Sequence, residues 1–161
     1  MLRSSDVDAA RALLHAAAAL ALGACVYSFL RDAPPALPQL LHYPVHAARR
    51  FAAVTGALPT FAHVWAMTCL TAAVAGRHSR TAAWAGVAWA AIDIAFELGQ
   101  LPRIAAQLAA WCAPLAGVGP IDRFVSFFLH GTFDPLDLTA AVAGGGLVSR
   151  WIVRSREPAH A

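Results

Sequence analysis

Apolar residues come in four long runs along this chain, separated by polar or proline-rich segments. The runs lie at about Ala12 to Leu30 (ALLHAAAALALGACVYSFL), Leu58 to Gly76 (LPTFAHVWAMTCLTAAVAG), Thr81 to Gln100, and Leu136 to Val153 (LDLTAAVAGGGLVSRWIV). A membrane-spanning helix needs roughly 20 mostly apolar residues. The pattern therefore predicts an all-α fold, a polytopic transmembrane bundle of about four spanning helices in one membrane domain, 1–161.

Two longer connections interrupt the runs. The first, Arg31 to Ala57, opens proline-rich (DAPPALPQ) and then turns amphipathic, with His42, His46, Arg49 and Arg50. The second, 101–133, contains IAAQLAAWCAPLAGVG and IDRFVSFFLH. Its first piece is too short to span and is broken by Pro114. Aromatic-rich, half-polar pieces of this length read as short interfacial or re-entrant helices in an outward loop. A fifth crossing hidden there stays open.

Composition sharpens the class. The hydrophobic fraction is 59% and the charged fraction 13%, against roughly 45–50% and 25% in soluble domains. A soluble core of this size has no use for that much apolar surface, so the lipid bilayer is the expected partner. The net charge of +3 comes from arginines at the ends of apolar runs. That is the distribution membrane topology requires, and it argues against nucleic acid as a partner. Seven arginines fall on the side of the two termini and five on the other. Twelve Arg with no Lys and no Asn suggest a GC-rich bacterial genome, and the positive-inside rule then puts both termini in the cytoplasm of a bacterial inner-membrane protein. The apolar run continues past LGAC as VYSFL, so the first segment reads as an uncleaved helix and not as a cleaved signal.

The third run carries a polar face. Asp93, Glu97 and Gln100 sit at i, i+4 and i+7, one side of an α-helix. Asp93 lies roughly 10 Å deeper than Gln100 at 1.5 Å per residue. An ionised Asp at the bilayer centre costs about 2.5–3.5 kcal/mol, so Asp93 needs a partner or a water-filled cavity. His63, at similar depth on the preceding helix, is the natural partner, and their hydrogen bond would join the two helices. At the fourth run, Asp134 fits an N-cap, Pro135 the first helical position and Asp137 the third. Placed level with Glu97, Asp137 would help His63, Gln100 and His130 ring an outward-facing cavity. His63, Asp93, Glu97, Gln100 and Asp137 are thus the ligand-binding candidates. Ala140 and Gly144 have small-xxx-small spacing and predict close helix packing.

No HExxH, nucleophile elbow, P-loop or dinucleotide fingerprint occurs, and the three cysteines lack zinc spacing. No metal or cofactor is therefore expected, and no catalytic residue is named. Three stretches resemble the VanZ-like family of small bacterial membrane proteins: GALPTFAHVWAMTCL (56–70), FELGQ (96–100) and GTFDPLDLTAAVAGG (131–145). From 56 to 145 the resemblance spans about half the chain, and it carries over at Glu97, Gln100, Asp137 and Gly144. Ala141 stands where the family's Asn is expected, and Thr132 where an Arg often follows the loop glycine. It implies a cell-envelope protein, whose outer polar cluster would bind a lipid-linked or cell-wall-related ligand or a membrane protein partner. The alternatives are a membrane-embedded enzyme with Glu97 or Asp137 as acid or base, and a small accessory subunit of a membrane complex.

Overall fold

In a computed structural model, residues 4–29, 52–75 and 79–154 are described. They form six α-helices and no strand: α1 Ser4–Phe29, α2 Ala52–Ala75, α3 Ser79–Gly99, α4 Pro102–Cys112, α5 Gly119–His130 and α6 Pro135–Arg154. Four of them are long and apolar enough to cross a membrane, over Ala9–Val26, Gly56–Ala75, Arg80–Gly99 and Pro135–Arg154. At 1.5 Å per residue, α6 alone is about 30 Å long. The connection with His42, His46, Arg49 and Arg50 lies outside the described residues.

α2 is the central helix, packing against α1, α3 and α6, and α3 also packs along α6. The core is made of small side chains. Ala16, Ala66, Cys69, Ala72, Ala82, Val148 and Ile152 form one buried cluster, and Val64, Ala90 and Ala141 a second. The large apolar residues point the other way: Leu14 is 69% exposed, Trp84 72% and Val142 61%. In water this arrangement would leave a broad apolar surface uncovered. In lipid there is no hydrophobic drive to bring helices together, so small interface residues that let backbones approach are what hold them.

The closest approach is between α3 and α6. A Cβ on Gly145 would lie 2.6 Å from the Gly86 carbonyl oxygen, and one on Gly86 2.7 Å from that of Gly145. Beside them, Ser149 Oγ–H donates to the Ala82 carbonyl, 3.0 Å away. Gly144 meets α2 instead, where a Cβ would lie 2.9 Å from the Phe61 carbonyl. The buried face of α6 is Ala141, Gly144, Gly145, Val148 and Ile152, with Ala140 half-buried at its edge.

α4 and α5 form a helical hairpin. The turn uses Gly117 at φ 92°, a left-handed conformation that glycine adopts without steric cost. Asp122 Oδ1 accepts the Gly117 N–H at 3.2 Å and fixes the turn. Neither hairpin helix, at 11 and 12 residues, is long enough to cross a membrane as a single helix. The hairpin folds back along α3. Gly131 sits on Gln100 and Gly99 on Phe128, and Phe96 contacts Phe127 and Phe128. These contacts join the C-terminal end of α5 and the residue after it to the last turns of α3.

Candidate functional site

α3 presents Trp89, Asp93, Glu97 and Gln100 on one helical face, and that face lines a cleft of ≈ 1330 Å³ bounded by α2, α5 and α6. The five residues singled out from the sequence, His63, Asp93, Glu97, Gln100 and Asp137, all line it, as does His130.

The polar contacts fall in layers along α3. Nearest the end, Gln100 packs under the Gly131 loop, and its Nε2–H donates to Glu97 Oε2 at 3.3 Å. In the next layer, Glu97 is only 7% exposed, and its Oε1 accepts the backbone N–H of Asp134. Asp134 in turn accepts from the Leu136 N–H through Oδ1, at 2.9 Å, closing the first turn of α6. Glu97 therefore reaches from one helix to pin the N-terminus of another. A carboxylate also suits that end of the helix dipole.

One turn further along α3, His63 Nδ1–H donates to the Asp93 carboxylate, 3.0 and 3.1 Å from its two oxygens. The His63 side chain is 45% exposed and that of Asp93 13%. The His63 ring stands edge-on to Trp89, and Trp89 Nε1–H donates to Thr71 Oγ1 at 3.0 Å. Thr71 Oγ1–H in turn donates a hydrogen bond to the Met67 carbonyl, 2.9 Å away. α2 and α3 are thus joined by two side-chain hydrogen bonds at successive depths. Interhelical bonds of this kind contribute on the order of 0.6–2 kcal/mol. A double-mutant cycle with His63→Ala and Asp93→Ala, read by unfolding in detergent, is expected to give a coupling energy in that range. Additive losses would mean the pair carries no bond.

α5 supplies a wall of which the sequence pattern assigned only His130. Asp122, Arg123, Ser126 and His130 line the cleft opposite α3. Their signal was present: Asp122, Ser126 and His130 recur at i, i+4 and i+8, a polar stripe at helical spacing. His130 is held by its own helix, Nδ1–H donating to the Ser126 carbonyl at 2.9 Å.

Both Glu97 oxygens already accept hydrogen bonds, and the Asp93 carboxylate is engaged by His63. Among the described residues, no three of His, Cys, Asp or Glu gather in a way that could hold a metal ion. Comparison of the chain with family models, with curated proteins and with solved structures finds no match in any of the three.

Proposed function

We propose that this chain is an integral protein of the bacterial cytoplasmic membrane, VanZ-like in character. In this reading both termini face the cytoplasm, and the polar cleft opens to the outer face. It serves to bind a lipid-linked or cell-wall-related ligand, without covalent chemistry. The observation that carries the reading is the convergence of His63, Asp93, Gln100 and Asp137 on one large cleft among helices that are otherwise apolar. Ionisable groups are costly inside a bilayer and tend to mark ligand or ion pathways. The quoted stretches 56–70, 96–100 and 131–145 support the family reading, and the first and last of them flank the cleft through His63 and Asp137.

Sidedness is tested with single thiols at the two ends of the bundle. In a chain with Cys25→Ser, Cys69→Ala and Cys112→Ser, Thr132→Cys marks the cleft end and Arg80→Cys the opposite end; both positions are exposed. A membrane-impermeant maleimide applied to cells, with any outer membrane permeabilised, is expected to label Thr132→Cys only. Labelling of Arg80→Cys alone would invert the topology. For ligand binding, Asp137→Asn is expected to accumulate at the wild-type level yet fail to restore the envelope phenotype of a deletion strain. A fall in protein level would instead assign Asp137 to folding.

A further inference from the structure

A second, smaller void of ≈ 350 Å³ lies against the cleft. It is a groove between α1 and α2 lined by Ala19, Leu20, Gly23, Ala24, Pro59 and Ala62. His63 lines both voids, so the polar cleft and the apolar groove adjoin at that side chain. The groove extends about 7 Å along α1, from Ala19 to Ala24, at 1.5 Å per residue. It lies on helices long and apolar enough to span a membrane.

The charges in the cleft are unequally engaged. Asp93 accepts from His63, Glu97 from Asp134 and Gln100, and Asp122 from the Gly117 N–H. Asp137 is engaged as well. Arg123 lines the same cleft and, among the described residues, makes no hydrogen bond or ion pair. The hydrogen bonds to the carboxylates occupy acceptors without cancelling the charges, and Arg123 is a cleft residue whose donors are unused by the described residues and can meet an anion. A guanidinium presents a fork of donors that matches phosphate oxygens.

We propose that cleft and groove together form one site for an anionic amphiphile, its phosphate headgroup held at Arg123 and its acyl chain laid along the α1–α2 groove past His63. The proposal rests on the membrane-bound, ligand-binding reading above and adds the chemical class of the ligand.

The test is photo-crosslinking of the full chain in phosphatidylcholine nanodiscs. The probe is a phosphatidylglycerol analogue with a diazirine in the acyl chain, and adducts are mapped by mass spectrometry. Adducts are expected to concentrate at residues 19–24 and 59–63. Arg123→Gln should lower them about tenfold, the equivalent of 1.4 kcal/mol, and Arg123→Lys should restore part of the loss. Arg103→Gln, an exposed position, should change nothing. Ala24→Phe, which fills the groove from an exposed position, should remove the adducts there while helical content by circular dichroism is kept. Even labelling of the outward positions Trp84, Val87 and Val142, indifferent to Arg123→Gln, would overturn the proposal. So would equal adducts from a phosphatidylcholine analogue, since the headgroup charge would then play no part. Displacement of the probe by inorganic phosphate would show a free-phosphate site and overturn the acyl assignment. Both faces of a nanodisc are accessible, so this pattern does not depend on sidedness. An inverted thiol-labelling result removes the outward reading alone, and a failed cross-link removes the amphiphile alone.

Discussion

Gly145→Ala and Gly86→Ala are each expected to destabilise the bundle by about 2–3 kcal/mol, the upper part of the range for overpacking, whereas Gly146→Ala is expected to be neutral or mildly stabilising. The three substitutions add the same methyl group, and two of them lie on adjacent residues of one helix. At Gly145 the methyl would lie 2.6 Å from a backbone oxygen of α3, and at Gly86 2.7 Å from one of α6. Backbone cannot rotate away as a side chain does, so the helices must separate, and the Ser149–Ala82 hydrogen bond is lost with them. At Gly146 nothing lies within 4 Å of the added atom, and alanine is the better helix former by roughly 0.5–1 kcal/mol. Gly144→Ala should fall between, since the Phe61 carbonyl would be 2.9 Å away and Val64 Cβ 3.4 Å. Thermal unfolding of the purified chain in mild detergent, followed by circular dichroism and by recovery of the monodisperse species, measures the series. Equal behaviour of the Gly145 and Gly146 variants would show that α3 and α6 do not meet there.

That contact also marks how far the sequence can be read. Small residues on the last run announce a close-packed face, but a glycine has no side chain to show which neighbour it meets. Gly144 was legible as a packing residue. Its division of labour with Gly145, one facing α2 and the other α3, appears only in three dimensions. The polar face of α3 was legible because periodicity alone puts Asp93, Glu97 and Gln100 together, and the cost of ionised groups in lipid supplies the reason for a partner. His63 followed from depth arithmetic. α5 was not placed, because its position depends on Phe96 meeting Phe127 and Phe128, contacts between distant parts of the chain that no local pattern encodes. Helix limits shifted for a related reason. α1 begins at Ser4 and α2 at Ala52, ahead of the apolar runs, because a hydropathy window reports what lipid tolerates while backbone hydrogen bonding continues through polar residues.

Replacing Glu97 separates the candidate site into residues that build the cleft and residues that meet what enters it. Glu97→Ala is expected to cost about 1.5–3 kcal/mol, the usual contribution of a hydrogen bond to a charged group, because the Asp134 N–H loses its acceptor and Gln100 loses its anchor. Glu97→Gln should cost less, since its carbonyl oxygen still accepts from the Asp134 N–H, while the charge at the helix N-terminus and the acceptor for the Gln100 Nε2–H are lost. Hydrogen exchange should localise the loss: in the alanine variant the amides of Asp134 and Leu136 exchange faster, while those in the Ala82–Ser149 region keep their protection. The pair also discriminates between roles. A general base would lose its function as fully with glutamine as with alanine, because neither accepts a proton at neutral pH. A clasp keeps most of its function with glutamine, which retains the acceptor. Equal loss in both variants, at unchanged stability, would return Glu97 to the chemistry of the cleft. A graded loss of stability assigns it to holding α6 in place, and separates it from Arg123, where the proposed ligand would bind.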